Sequence, residues 1–328
     1  LSLLWIPAGL CFTFGKAVKM RGENGTAVKE KDQGIALLKV MSILFIAALI
    51  VCTVFEFVGA AMPEGVKYLG NLEGKEKHFG EKDPGQAGGN MEGKETRFGI
   101  PASVTWAAFT TAASNGSVNA MHDSFTSIGG MIPMFLMMLG EIVYGGVGCG
   151  LYGMIAFAIL TVFIGGLMVG RTPEYIGKKI GSYDMKMVCL IILTPVLCLL
   201  IGTASTVMIK EAPEWLTNSG AHGFSEILYA FASMAGNNGS AFAGLNANTP
   251  WTNVTGGIVM LLVRFVPMFA ALGLAGSLGN KKMIPQSDGT LSTNNAMFVG
   301  LVIAVILIVG ALSFFPALAL GPIAEFVG

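Results

Sequence analysis

The chain has 328 residues, of which 53% are hydrophobic and only 12% are charged. Soluble globular chains carry about 25% charged residues, so this composition excludes an ordinary soluble domain and a disordered chain and predicts a membrane protein. The 20 basic residues balance the 20 acidic ones, and the net charge of +0 excludes the electrostatic signature of a nucleic-acid-binding protein. The 45 glycines indicate close helix packing and non-helical backbone inside the fold.

Long apolar segments predict the membrane spans, because a span needs about 20 apolar residues. In chain order we expect spans at residues 1–14, 35–61, 125–170, 187–209, 254–278 and 296–324. The first begins inside an apolar run, which favours a fragment or a processed form that starts within a transmembrane segment. Two further apolar segments, 99–113 and 224–235, are too short to cross.

The placement of lysine and arginine predicts the orientation, because cytoplasmic loops are enriched in these residues. The basic segments 15–34, 171–186 and 279–295 are therefore expected on the cytoplasmic side. Segment 125–170 must then cross an odd number of times, although as one straight helix it would be about 70 Å long against a hydrocarbon core of about 30 Å. We predict one crossing with a break among the glycines between residues 140 and 153. A tightly packed glycine-rich helix with long ends is the alternative.

Both short apolar segments are followed by the same tripeptide, Asn-Gly-Ser, at residues 115–117 and 238–240. The two copies lie 123 residues apart, and at that offset Trp106 corresponds to Tyr229. A half-helix that enters from outside points its C-terminal carbonyls at the membrane centre, and a loop with glycine can present further carbonyls to one axis. A ring of carbonyls replaces the hydration shell of a monovalent cation, so the repeat predicts an ion filter. An ordinary Asn-Gly turn is the alternative.

Two isolated charges lie well inside the predicted spans, away from their ends, where an ionisable residue marks a functional site by default. Arg264 lies near the middle of segment 254–278, and Glu141 lies at the predicted break. Arg264 is expected to limit where a cation can go, and Glu141 to attract the ion into a cavity. A structural ion pair is the alternative for either residue.

Several long runs of sequence carry a family resemblance: MEGKETRFGIPASV, GEIVYGGVGCGLYGM, VGRTPEYIGKKI and NNGSAFAGLNANTP. They resemble the KdpA family, the potassium-binding and translocating subunits of bacterial Kdp-type potassium-transporting ATPases. The resemblance implies an all-α polytopic membrane protein of concatenated potassium-channel-like units. Each unit has a helix, a pore half-helix, a filter loop and a second helix, and the resemblance implies that this chain is truncated at its N-terminus.

The resemblance also implies a division of the chain into units. Residues 1–34 hold the closing helix of the second pore unit and a cytoplasmic loop. Residues 35–186 form the third unit, with an outer loop at 62–98 and the broken helix at 125–170. Residues 187–295 form the fourth unit, and residues 296–328 form a final extra transmembrane helix.

The same resemblance assigns site residues. The third filter loop is Ser114, Asn115, Gly116 and Ser117, and the fourth is Asn237, Asn238, Gly239 and Ser240. Asn115 stands where the family often has cysteine. A cysteine side chain therefore cannot contribute to ion binding at this position, whereas the backbone carbonyls of the loop still can. The broken helix is expected to be a gate under the filter, and its assigned residues are Glu141, Gly145, Gly146 and Gly148. Arg264, in another span, is expected to be a charge near the pore. Arg171 lies at the start of the GRTPEY sequence, which corresponds to a cytoplasmic segment of the family.

The chain contains no Walker A run and no Asp-Lys-Thr-Gly phosphorylation motif, so we expect no catalytic or ATP site in it. The resemblance implies selective binding and inward movement of potassium, driven by a P-type ATPase catalytic subunit with small accessory subunits of the Kdp complex. It implies a multi-pass protein of the bacterial cytoplasmic membrane, in contact with the lipid bilayer, with no organic cofactor and no nucleic acid. A stand-alone potassium channel or symporter of the same superfamily and a non-transporting membrane scaffold are the alternatives.

Overall fold

A computed structural model describes residues 2–18, 31–58, 89–145, 150–284 and 291–327. These residues form the helices α1 Ser2–Ala17, α2 Lys31–Val58, α3 Gly99–Ala112, α4 Ser127–Met138, α5 Gly150–Met168, α6 Ser182–Val207, α7 Gly220–Gly236, α8 Pro250–Asn280, α9 Ala296–Leu320 and α10 Pro322–Val327. A two-stranded antiparallel hairpin, β1 Glu174–Tyr175 and β2 Lys178–Lys179, lies between α5 and α6.

Five of the described helices are long and apolar enough to cross a membrane: Gln33–Val58 within α2, and α5, α6, α8 and α9. They confirm the prediction of an all-α polytopic membrane protein. The helices α3 and α7 are shorter, with 14 and 17 residues, and each leads into one of the predicted filter loops. We call the end of the bundle at which α3 and α7 begin the outer end, following the orientation predicted from the basic segments.

Local sequence signals fix where several helices begin. The Thr126 hydroxyl accepts the backbone N–H of Gly129 at the start of α4, and the side-chain oxygen of Asn295 accepts that of Phe298 at the start of α9. Thr249 caps α8, whose first residue is proline, a residue that needs no backbone N–H donor there. With this cap α8 runs for 31 residues, longer than the predicted span at 254–278.

The buried apolar side chains form two clusters. One contains residues of α2, α3 and α5 with the first half of α9, and the other contains residues of α7 and α8 with the end of α9. The helix α4 contributes to both, with Leu136 in the first cluster and Met134 and Met138 in the second. α4 and α9 therefore lie between the two halves of the bundle.

The segment predicted to span at 125–170 is interrupted. α4 ends at Met138, and the backbone then passes through left-handed conformations at Gly140, Glu141 and Tyr144, with φ of 80°, 54° and 56°. α5 begins at Gly150, where an added Cβ would lie 2.6 Å from the Cα of Gly145. Two other predicted gate residues lie outside the described residues: Gly146 and Gly148.

The last predicted span differs from the structure at its end. The sequence predicts one helix over segment 296–324, but α9 stops at Leu320 and Gly321 turns the chain, with φ −104° and ψ −104°, into α10. A Cβ at Gly321 would lie 2.6 Å from the Ser225 hydroxyl of α7, so glycine lets the turn pack against that helix. The turn places α10 at the outer end, beside the start of α7.

Candidate functional site

The helices α3 and α7 end in the same backbone turn, at positions 123 residues apart. Ser114 and Asn237 are both left-handed, with φ of 56° and 55°. The residue after each donates its backbone N–H to the carbonyl five residues before it, at 2.9 Å in the first loop and 3.3 Å in the second. The two predicted filter loops thus leave their helices in the same way.

The loop asparagines fold each loop onto itself. The side-chain oxygen of Asn115 accepts the backbone N–H of Ser117, and that of Asn238 accepts the backbone N–H of Ser240, both at 2.8 Å. A hydroxyl of the preceding helix lies near each of these oxygens as well, at 3.1 Å in the first loop and 2.8 Å in the second. Asn115 therefore gives the first loop the same internal support that Asn238 gives the second.

The loops meet backbone to backbone at their glycines. A Cβ added to Gly116 would lie 2.7 Å from the carbonyl carbon of Gly239, and it would overlap the carbonyl oxygen of Asn238. At Gly239 the requirement is conformational, because its φ is +72° and no described atom lies within 4 Å of the Cβ position. Glycine is needed in both copies, at Gly116 for space and at Gly239 for its backbone angle.

A cavity of about 70 Å³ lies on the inner side of the second loop, where α7 ends. Its polar lining comes from the helix break, the end of α7 and the middle of α8, together with Tyr152 of α5 and Ser313 of α9. The apolar side chains of the lining come mainly from α4, α6 and α9. Glu141 and Arg264, the two charges predicted within the membrane, both line this cavity. A volume of this size holds a few water molecules, so the cavity suits a partly hydrated small ion.

A direct hydrogen bond joins the second loop to the break in the helix. The side-chain amide of Asn238 donates to the carboxylate of Glu141 at 2.5 Å, and that carboxylate is buried, with 1% of Glu141 exposed. The Cβ position of Gly236, at the end of α7, is 2.6 Å from the same carboxylate oxygen. The carboxylate therefore lies directly against the base of the second loop.

At the outer end, a buried ion pair that sequence reasoning missed supports the segment that follows the first loop. The Lys94 ammonium lies 2.7 Å from the Glu56 carboxylate, and both side chains are fully buried. Glu56 also accepts the backbone N–H of Thr126 at 2.7 Å, and Lys94 lies 4.2 Å from the centre of the Phe125 ring. Part of the predicted outer loop 62–98 is thus built into the fold, whereas its residues 62–88 lie outside the described residues.

A second charged network at the outer end joins three elements that are distant in sequence. His222 of α7 contacts Asp123 at 2.9 Å and Glu325 of α10 at 3.0 Å, and the Asn218 amide bridges Asp123 to Glu226. Burial lowers the pKa of His222, but the hydrogen bonds and charges of the two carboxylates outweigh it and raise the pKa from 6.5 to about 10. A metal ion could be held by three atoms that lie within 4.8 Å of one another, one each from Asp123, His222 and Glu226. In this structure the three side chains are linked instead by hydrogen bonds, directly from His222 to Asp123 and through Asn218 from Asp123 to Glu226.

The remaining predicted residues lie apart from the loops. Gly145 follows the left-handed turn of the break, and Arg171 is exposed at the inner end of α5, beside a shallow cleft next to the hairpin. The structure therefore brings Glu141, Arg264 and the start of the second loop, at Asn237, together around one cavity. The first loop packs on the second and is not part of the cavity lining, and Arg171 also lies outside it.

Comparison with known sequences identifies the family. The sequence model of the KdpA family, described as potassium-transporting ATPase A subunit, matches residues 1–327. A protein of Clostridium perfringens named potassium-transporting ATPase potassium-binding subunit is 60% identical, over 100% of this chain and 53% of that protein. Proteins of the same name from Clostridium botulinum and Listeria monocytogenes are 56% and 53% identical, over 99% of this chain and 53% of their own length. The chain spans about half the length of the curated relatives it matches. The family predicted from the motifs is confirmed, and the chain belongs to the KdpA family of potassium-transporting ATPase A subunits.

Proposed function

We propose that the chain binds potassium at its two loops and passes the ion inward, as the channel-like subunit of an ATP-driven potassium uptake complex. The observation that carries the proposal is the contact between the loops, where Gly116 packs on the backbone of Asn238 and Gly239 without room for a Cβ. The name of the relatives, potassium-binding subunit of a potassium-transporting ATPase, supports the same ion. Two loops supply half of a fourfold ring, so the proposal includes two further loops of this kind in the assembled transporter.

The chemistry of the loops favours a monovalent cation. The side-chain oxygens of Asn115 and Asn238 are held inside their loops, so backbone carbonyls are the proposed ligands. The helices α3 and α7 point their C-terminal ends at the loops, and the partial negative charge there attracts a cation. Divalent cations usually recruit carboxylates, whereas Glu141 lies behind the loop, in the cavity.

The cavity and the broken helix are the proposed path below the filter. An ion that leaves the loops enters the space lined by Glu141 and Arg264, where one charge attracts it and the other limits how far it travels. The break between α4 and α5 closes the cavity on its inner side, as a gate. Irregular backbone at this depth is stable only where protein or water satisfies it, which is typical of transport pathways.

Energy for uptake comes from a partner in this proposal, because the sequence has no phosphorylation motif. That partner is a P-type ATPase catalytic subunit, with small accessory subunits, in the bacterial cytoplasmic membrane, and Arg171 lies in a segment on the cytoplasmic side. The proposed units are residues 35–186 and 187–295, with a closing helix and loop at 1–34 and an extra helix at 296–328.

The test is the substitution Gly239→Asp in the purified transport complex. It places a carboxylate in the open space beside the loop, and we expect potassium-stimulated ATP hydrolysis and uptake to require a higher potassium concentration than in the wild-type complex. Gly220→Asp is the matched control, because Gly220 has a φ of +68° and no described atom within 4 Å of its Cβ position, but lies at the other end of α7. Equal potassium dependence in Gly239→Asp and Gly220→Asp would refute the filter.

The same preparation separates the alternatives. Uptake by the wild-type protein that continues without ATP would favour a stand-alone channel or symporter. Binding measurements that detect no potassium in the wild-type protein would favour a scaffold.

A further inference from the structure

The 123-residue repeat relates one more pair of contacts, which touch the last residue of each loop. Trp106 of α3 donates its ring N–H to the carbonyl oxygen of Ser117, at 3.1 Å. At the matching positions of α7 and its loop, the Tyr229 hydroxyl lies 2.8 Å from the Ser240 hydroxyl. In both units an aromatic side chain of the pore helix reaches forward eleven residues to hold the serine at which the loop ends.

The two contacts use different atoms for the same purpose. The Ser117 carbonyl oxygen lies 2.8 Å from the Thr110 hydroxyl as well as 3.1 Å from the Trp106 nitrogen, so it is turned toward α3. Ser240 is held through its side chain, while its backbone N–H is bonded to Asn238. Each serine is thus tied to its own pore helix.

Tyr229 also connects the two units. Its ring is fully buried and stacks on Phe242, with 4.6 Å between the ring centres. Its hydroxyl lies 2.8 Å from Nδ1 of His122, a fully buried residue of the segment that follows the first loop. The second loop is therefore tied, through one hydroxyl group, to the chain that leaves the first.

We propose that Trp106 and Tyr229 are positioning residues that hold the outer end of the filter open at the width of potassium. This inference rests on the proposed function. On the view that a filter made of backbone dipoles discriminates between ions by resisting closure around a smaller one, a tether between each loop and its pore helix supplies that resistance. Loss of a tether lets the loop move inward, so the variant binds potassium more weakly and discriminates less against sodium.

The test uses Tyr229→Phe and Trp106→Phe in the intact transport complex. Each removes one hydrogen-bonding group and keeps an aromatic ring. We measure the half-saturating concentrations of potassium, rubidium and sodium for ATP hydrolysis, together with the maximal rate. A single net hydrogen bond corresponds to about a fivefold change, so we expect about a fivefold higher half-saturating potassium concentration in Tyr229→Phe with the maximal rate retained. The potassium-to-sodium preference should fall in both variants, less in Trp106→Phe because Trp106 is part-exposed.

The matched control is Tyr175→Phe. Tyr175 is a buried tyrosine of β1 whose hydroxyl has no hydrogen-bond partner among the described residues. It should behave as the wild-type protein in all three ion titrations.

The outcomes separate the inference from the function on which it rests. Unchanged ion preference in Tyr229→Phe and Trp106→Phe overturns the tether, as does a fall in maximal rate and melting temperature without any change of preference. A wild-type complex without potassium dependence refutes the proposed function instead.

Discussion

Replacing Gly116 by alanine tests whether the two loops must touch for potassium to bind. The added Cβ would lie 2.7 Å from the carbonyl carbon of Gly239, whereas ordinary van der Waals contact begins at 3.4 Å. The loops must therefore part by at least about 0.7 Å, the difference between these two distances, because the carbonyl oxygen of Asn238 lies closer still to the added Cβ. The φ of Gly116 lies outside the left-handed region, so alanine fits the backbone there and the effect is steric.

The size of the effect follows from the packing. Overpacking a well-packed site costs about 1–3 kcal/mol. If this strain falls on the ion-binding arrangement of the loops, potassium affinity falls about 5- to 150-fold, since each 1.4 kcal/mol is a factor of ten. The backbone atoms that meet the new methyl group belong to the opposite loop and not to a flexible side chain, so rotation of a side chain does not relieve the overlap.

The assay is the potassium dependence of ATP hydrolysis by the purified complex, repeated with rubidium. Gly300→Ala is the control, because Gly300 lies exposed on α9 with no described atom within 4 Å of its Cβ position. A Gly116→Ala complex with the same half-saturating potassium concentration as wild-type protein and control would refute the contact between the loops as part of the binding site.

Two further predictions concern the outer end. Glu56→Gln leaves the buried Lys94 ammonium without its charge partner, which costs about 3–5 kcal/mol, so the melting temperature should fall. Arg97→Gln removes an exposed ion pair and should leave the melting temperature nearly unchanged. An equal melting temperature in the two variants would contradict this. Because the pKa of His222 is raised from 6.5 to about 10, its ion pairs stabilise the fold fully below pH 6.5 and are lost as pH rises through about 10. His222→Gln should therefore flatten the dependence of melting temperature on pH between these values, and an unaltered slope would show that other groups cause it.

The sequence predicts the repeated loops because their signal is local. Asn-Gly-Ser follows an apolar half-helix in both copies, and the offset of 123 residues by itself pairs Trp106 with Tyr229. The glycines between 140 and 153 similarly indicate an interruption in a segment too long for one span. What the pattern does not predict is that Gly116 and Gly239 are required for different reasons, because that difference depends on how the loops face each other.

The charged networks could not be predicted, because their partners are joined only by tertiary packing. Glu56 lies near the end of the predicted span 35–61 and Lys94 lies in a polar segment, and nothing in the sequence pairs the two. His222 meets Glu325 across 103 residues, and the contact requires the turn at Gly321 that ends α9 early.

The repeat also supplies a reason why the proposed gate lies in the first unit and not at the matching position of the second. The offset that relates the loops places the start of α4, Ser127, at the start of α8, Pro250, and it places Glu141 at Arg264. Two opposite charges thus occupy matching positions, and both line the same cavity. In the first unit the position falls in a left-handed turn after Gly140, whereas in the second it lies within the continuous helix α8. We therefore expect a movement that opens the cavity to occur in the first unit. Because Asn238 bonds to Glu141, that movement changes the support of the second loop directly.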